Sequence, residues 1–245
     1  MKSNKYQRRF YRDWVTAKGL YQARIIARET DLQILTDRPL DKIFCEERIY
    51  KYRRAIEDYI AKDRRFLTTL KPIPVELNAL PIVKEMAKHA QKANVGPMAT
   101  VAGAIAEFLG RDLLKKGYKD IIIENGGDIF LKTSKNRSVA VYAGRSGVWK
   151  RLRLKIKPLD TPIGICTSSG TFGHSLSFGC ADCVVILSKN TVLADAIATA
   201  TGNRVQSKKD LQSALDFAKS IKNVLGVVII IKNHLISWGK VEFVH

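Results

Sequence analysis

No stretch of about 18 uninterrupted apolar residues occurs in the 245-residue chain, so no membrane-spanning helix is expected. The start, MKSNKYQRRFYRDW, is basic but has no apolar run behind it, which excludes the pattern of a secretory signal peptide. The chain reads as cytoplasmic, one domain over 1–245 with a basic leader at about 1–15. Proline is scarce, at 7 residues, and 46% of the chain is apolar, which argues against disorder and for a full core. Low-complexity segments and short-period repeats are absent. Cysteine is limited to Cys45, Cys166, Cys180 and Cys183, expected to be reduced in this compartment. Cys180 and Cys183 form a lone C-x-x-C with no nearby His or Cys to complete a zinc site, although folding could bring Cys166 close. Small core residues are the leading reading of this pair, and a metal or redox pair is the other. There is no G-x-S-x-G elbow and no acid at a serine-protease spacing, so a nucleophilic serine is discounted.

Acidic residues are the scarce charge: 23 against 42 basic ones, a net +19. That balance favours a small anionic ligand such as a nucleotide or phosphorylated metabolite, an acidic surface, or RNA. A generally basic host proteome is the bland alternative. No known RNA-binding signature accompanies the charge, so nucleic acid ranks last. A homodimer is left open.

Alternating polarity over 20–36 predicts a hairpin. Ile49, Tyr52, Ile56 and Tyr59 share one face of an amphipathic helix over 41–63. A loop with Pro72, Pro74 and Pro81 follows, then a helix over 82–94 that Gly96 stops, with Pro97 starting the next. That third helix, about 98–116, carries a stripe of Ala99, Ala102, Gly103, Ala106 and Gly110 that lets another backbone come near. Strands are expected at 119–124, 129–133 and 138–143. In 150–157, Leu152, Leu154 and Ile156 face one way and Arg151, Arg153, Lys155 and Lys157 the other. This basic row reads first as the wet side of an antiparallel sheet and second as a phosphate or nucleic-acid contact. A polar segment spans 164–179, then come a strand at 183–188, helices at 191–201 and 208–220, and strands near 225–231, 234–238 and 240–244. Hairpins without strict βαβ alternation predict an α+β fold.

Three stretches carry candidate chemistry. Glu124, Asn125, Gly126, Gly127 and Asp128 sit between two strands. Paired glycines let a ligand approach the main chain, yet the same residues suit an ordinary hairpin turn. The segment of Thr167, Ser168, Ser169, Gly170 and Thr171 offers hydroxyls and free amides to a phosphate or heterocycle, with His174 three residues on; a polar surface loop is the alternative. In VLADAIATATG, Asp195 and Thr199 are four apart and share a helix face. A carboxylate and a hydroxyl among alanines form a partial Mg²⁺ shell, although Asp195 as a helix N-cap is the simpler reading in isolation.

Taken in order, the small-residue helix, the Asn-Gly-Gly-Asp turn, the Thr-Ser-x-Gly loop and the Ala-Asp-Ala-x-Ala-Thr-Ala helix resemble the ApbE-type FAD:protein FMN transferase superfamily over about 95–204. The nearer likeness is to an uncharacterised ApbE-related family. The resemblance implies an ApbE-like fold of mixed or antiparallel sheets with helices packed on them, and Asp195 and Thr199 as side-chain ligands of Mg²⁺. It implies Asn125, Gly126, Gly127 and Thr167–Thr171 beside FAD or FMN as substrate or ligand, with Asp128 and His174 in catalytic positions. Family enzymes cleave the FAD pyrophosphate and pass FMN to a protein threonine or serine. The chain departs from the pattern in several places. SLSFG follows His174 where the family has Ile-Ile-Asp-Pro, the loop between Ser-Gly and that histidine is much shorter, Glu107 stands where a lysine is common, no Met-Gly-Thr segment is evident, and the lipoprotein signal of many bacterial members is not expected here. The readings that follow are an ApbE-like protein that binds a nucleotide-like or phosphorylated ligand with Mg²⁺, its activity open and FMN transfer from FAD one candidate, or a non-catalytic small-anion binding module on the same fold. A basic RNA-associated protein is the third.

Overall fold

The computed structural model describes residues 19–141, 149, 152–170 and 178–244. The basic leader, Arg151, Thr171 and His174 lie outside them. The elements in chain order are β1 (Tyr21–Ala27), β2 (Thr30–Thr36), α1 (Lys42–Lys62), α2 (Arg65–Thr68), α3 (Pro81–Ala93), α4 (Val101–Lys115), β3 (Ile121–Asn125) and β4 (Asp128–Lys132). They continue with β5 (Arg137–Ala140), β6 (Arg153–Ile156), β7 (Ile163–Ser168), β8 (Cys183–Ser188), α5 (Thr191–Arg204), α6 (Leu211–Ser220), β9 (Val224–Ile231), β10 (His234–Gly239) and β11 (Phe243–Val244).

Eight strands form one antiparallel sheet in the order β1-β2-β3-β4-β7-β8-β9-β10, and a smaller sheet runs β11-β6-β5. The larger sheet is covered on both faces. Ile121, Ile123 and Phe130 face one helical cluster with α1, α3 and α4, while Cys166, Val184 and Ile186 face a second with α5 and α6. Ile122, Ile129, Leu131, Ile165 and Val185 point the other way, onto Val139, Leu154 and Ile156 of the small sheet. Two-sided burial explains the near-continuous apolar runs of β3, β8 and β9. The fold is α+β, as expected. No helix among the described residues is long and apolar enough to cross a membrane.

Several boundaries differ from the sequence expectation, each for a local reason. Pro81 belongs to α3 as its first residue rather than to the preceding loop. Asn94, not Gly96, ends that helix: it takes the left-handed conformation at φ 56°, which a short polar side chain tolerates. A 3-10 turn over Pro97–Thr100 then precedes α4. The stripe on α4 divides, with Gly103 against α5 and Gly110 against the Phe130 ring. Thr167 and Ser168, expected in a loop, end strand β7, where they pair with Val185 and Val184. Leu154 and Ile156 are buried while Lys155 and Lys157 both pair with Glu242, so the described part of the basic row fits the wet-side reading. Cys183 is a core residue, as expected; Cys180 is exposed and is not.

Candidate functional site

Register brings the chemistry together. Asn125 pairs with Asp128, leaving Gly126 and Gly127 as a two-residue hairpin loop with φ of 67° and 105°. Two positive φ values match the twist of flanking strands, and glycine adopts them without strain. The turn is thus an ordinary hairpin, with Gly126 exposed at its tip. The Glu124 carboxylate accepts from Gly127 N–H at 2.8 Å, and the Thr167 hydroxyl donates to Gly127 C=O at 3.1 Å. Side chains alternate across a strand, so Asp128 falls on the same face as Phe130, towards the helices. Ile129 pairs with Ile165, which sets Asp128 opposite Cys166 on that face.

Above this face lies α5. Its N-cap is Asn190, whose side chain accepts from Leu193 N–H at 2.9 Å. Asp195 is therefore not a cap; it sits a turn and more into the helix. Thr199 and Asn203 follow at helical spacing on the same face. One Asp195 oxygen accepts from Gly103 N–H at 2.9 Å. A Cβ on Gly103 would stand 2.6 Å from Thr191 C=O and 2.8 Å from Asp195 Cβ, so only glycine lets α4 come this close. The Asn125 amide ties the turn to α4 through Ala102 C=O at 3.1 Å.

A cavity of about 1100 Å³ wraps the tip of the β3–β4 hairpin. On the helix side it meets Asn125, Asp128, Ser168, Asp195, Thr199 and Asn203. On the other side it runs between the two sheets, past Ile122, Glu124, Ile129, Thr167 and β5. Gly126, Gly127 and Ser169 also line it. Gly170 does not; its N–H donates to Ala181 C=O and its Cα abuts the main chain of Gly179.

Asp195 and Thr199 are 8% and 9% exposed, so what surface they keep is turned to the cavity. Burial pushes the Asp195 carboxyl up to about 7, against the pull of the Gly103 N–H. Burial and the Asp195 charge push Asp128 well above the usual carboxylate range. The Cys166 thiol is likewise pushed up by burial and then by Asp128. Like charges facing each other in a dry site hold either protons or a cation. Asp128 Oδ1 and Ser168 Oγ are buried without a hydrogen-bond partner. Among the described residues no three His, Cys, Asp or Glu side chains gather at metal distance. Two carboxylates and the Thr199 hydroxyl are nevertheless the hard oxygen donors that suit Mg²⁺, which keeps positions for water and phosphate.

A family model described as "AbpE bacteria" matches residues 12–242. The chain belongs to this family. A UPF0280 protein from Methanocella arvoryzae is 40% identical over 213 residues, 87% of this chain and 86% of its own. Another, from Methanocaldococcus jannaschii, is 41% identical over 229 residues, 90% and 91% of the two chains. Among solved structures, the flavin transferase ApbE from Vibrio cholerae superposes with a TM-score of 0.61 at 14% identity, covering 89% of this chain and 97% of that one. The Pseudomonas stutzeri flavinyl transferase ApbE in its apo form gives 0.56 at 12% identity, covering 89% and 93%. At these identities the likeness is one of fold.

In this AbpE-family chain, Glu107 does not reach the cavity. Its carboxylate accepts from Thr191 N–H at 2.8 Å and from the Thr191 hydroxyl at 2.5 Å, and pairs with Arg111 at 2.8 Å. A negative charge at the start of α5 favours the helix dipole, so Glu107 clasps α4 to α5. Sequence reasoning missed Asn203, whose spacing from Thr199 was legible, and Gln33, Arg53 and Arg137, which only tertiary contact brings to the cavity wall.

Proposed function

We propose that the cavity binds a nucleotide-like, phosphate-bearing ligand together with one Mg²⁺, and that its reaction is transfer of FMN from FAD to a threonine or serine hydroxyl of an acceptor protein, which gives up its proton as AMP leaves. The observation carrying this reading is the buried pair Asp128 and Asp195, with Asp128 Oδ1 left without a partner inside a cavity of about 1100 Å³. That volume is at the upper end of ordinary small-molecule sites and suits a dinucleotide. Asp128, Asp195 and Thr199 are the residues that would hold the cation. Bound there, Mg²⁺ offsets charge on the phosphates and steadies the leaving group.

The protein's own groups do the positioning. Gly126 leaves main chain bare for a phosphate to lie close, while Gly127 N–H and C=O are held by Glu124 and Thr167. Ser168 Oγ donates to a ligand oxygen on the helix side, and the Thr167 hydroxyl, on the opposite face of β7, holds the turn through Gly127 C=O. Burial of the carboxyls excludes water and keeps protons on them until a cation replaces those protons. The flavin assignment draws on the shared fold with two flavin transferases.

The engagement of Glu107 with Thr191 and Arg111, where a lysine is common in the transferases, favours a second reading: a binding module for a small anion without catalysis. Incubating the purified protein with FAD and Mg²⁺ separates the two. The transferase reading expects AMP release that stops in Asp195→Asn. Mg²⁺-dependent binding of FAD or another phosphate compound without AMP release supports the binding module, and absence of both defeats the pair of readings.

A further inference from the structure

A second hollow, of about 330 Å³, lies in the crevice between α1 and α4 and shares no lining residue with the first. From α1 it takes Arg48, Lys51, Tyr52 and Ala55. From α4 it takes Phe108, Arg111, Asp112 and Lys115. Both sets step by three, four and seven residues, so each is one face of its helix. Leu80, Pro81 and Ile82 complete the lining where α3 begins.

Floor and mouth differ in chemistry. Tyr52, Ala55 and Ile82 are buried and Phe108 is half-buried, and the Tyr52 and Phe108 rings meet edge to face at 5.3 Å. Lys51, Arg111 and Lys115 are exposed. The floor is therefore apolar and aromatic, and the rim is cationic.

The acids at hand are already engaged. Asp112, the one carboxylate in the lining, accepts from Arg48 Nε at 2.6 Å and from the Tyr52 hydroxyl, which cancels the Arg48 charge. Glu107 accepts from Arg111 Nε alone, and its other oxygen accepts from Thr191, so both terminal nitrogens of Arg111 stay open. Among the described residues neither Lys51 nor Lys115 makes a side-chain hydrogen bond or ion pair; Glu47, one turn before Lys51, does not reach it. Neighbouring lysines do find acids, as Lys116 does Asp41 and Lys88 does Glu85. Three cations thus gather at one mouth without a counter-charge, and an anion relieves their mutual repulsion. The start of α3, at Pro81 and without a side-chain cap, adds a helix dipole of the same sign.

We propose that this hollow binds a small amphiphilic anion. Its aromatic or short aliphatic body lies against Tyr52, Phe108 and Ile82, and its carboxylate or phosphate is held by Lys51, Arg111 and Lys115. A volume of about 330 Å³ is at the lower end of small-molecule sites and fits one ring system rather than a dinucleotide. The inference goes beyond the nucleotide reading and does not rest on it, because no residue lines both hollows.

The test titrates the intact protein, in EDTA and without nucleotide, with naphthyl phosphate, naphthoate, naphthol and inorganic phosphate. Naphthyl phosphate or naphthoate should bind saturably and shift the amide resonances of Tyr52, Ile82 and Phe108; the tighter of the two identifies the head group. Naphthol and inorganic phosphate, each offering one half of the recognition, should bind at least about tenfold more weakly. Lys51→Glu together with Lys115→Glu, both at exposed positions, should weaken binding of the aryl anion about tenfold or more. Ala55→Leu, which fills the floor and leaves the rim's charge, should weaken it likewise. Lys222→Glu, at an exposed lysine far along the chain, and Asp195→Asn should leave it unchanged. The proposal is overturned if neither aryl anion binds, if naphthol binds as well as they do, if the double lysine variant binds as before, or if the shifts fall only around the first cavity. It is equally overturned if a second copy of this chain fills the groove, seen as a dimer in solution that the double lysine variant dissociates.

Discussion

At Asp195 the folded protein holds a proton that the unfolded chain releases. The carboxyl titrates near 7 when folded against 3.8 in the unfolded reference, and Asp128 is raised in the same sense. A raised carboxyl pKa means that the folded state binds more protons between those two values. Stability from this site is therefore full below about pH 4 and falls as pH rises to about 7. Thermal denaturation without metal should show that decline, and Asp195→Asn should flatten it. Mg²⁺ bound as proposed would compete with these protons, so its stabilisation should grow as pH rises through 7 and vanish in Asp195→Asn. An equal Mg²⁺ effect in the variant would contradict the assignment. Glu107 makes a different prediction because it faces Thr191 rather than the cavity. Glu107→Gln should lower unfolding free energy by about 1–2 kcal/mol in urea while leaving the Mg²⁺ response intact. A loss of the Mg²⁺ response would place Glu107 in the site after all.

Element contacts set the spacing of these residues. Gly103→Ala should wedge α4 from α5, since its Cβ would meet Thr191 C=O and Asp195, and should cost about 1–3 kcal/mol. It should also weaken Mg²⁺ stabilisation, because Gly103 N–H holds an Asp195 oxygen. Gly127→Ala should cost about 1–3 kcal/mol, with φ at 105° and Thr167 Oγ1 only 2.5 Å from the new Cβ. Chemical denaturation reads both, and a neutral effect at either position would contradict the packing described. The hairpins and helices were legible because alternation and helical spacing are local signals, as in Ile49, Tyr52 and Ile56. The end of β7 was not: Thr167 and Ser168 carry no apolar pattern, and only pairing with β8 makes them a strand. The role of Asp195 was ambiguous for a related reason. A carboxylate near a helix start serves as cap or ligand, and the Asn190 cap that decides the matter lies outside the apolar periodicity.

Across the whole molecule, one cavity joins the two helical clusters to the space between the sheets. The order of motifs pointed to a common hollow for the turn at 126–127 and the helix face of 195 and 199, and both line it. Nothing local indicated that β5 would border the same hollow, because its position depends on the pairing of β5 with β6 and on the packing of one sheet over the other. The proposed cation site has one divalent ion shared by Asp128 and Asp195. Anomalous diffraction from crystals soaked in Mn²⁺, a Mg²⁺ substitute with a strong signal, tests it most directly. A peak is expected within bonding distance of one oxygen from each carboxylate and of Thr199 Oγ1. A saturating soak that leaves this position without a peak, or places the ion elsewhere in the cavity, would contradict it.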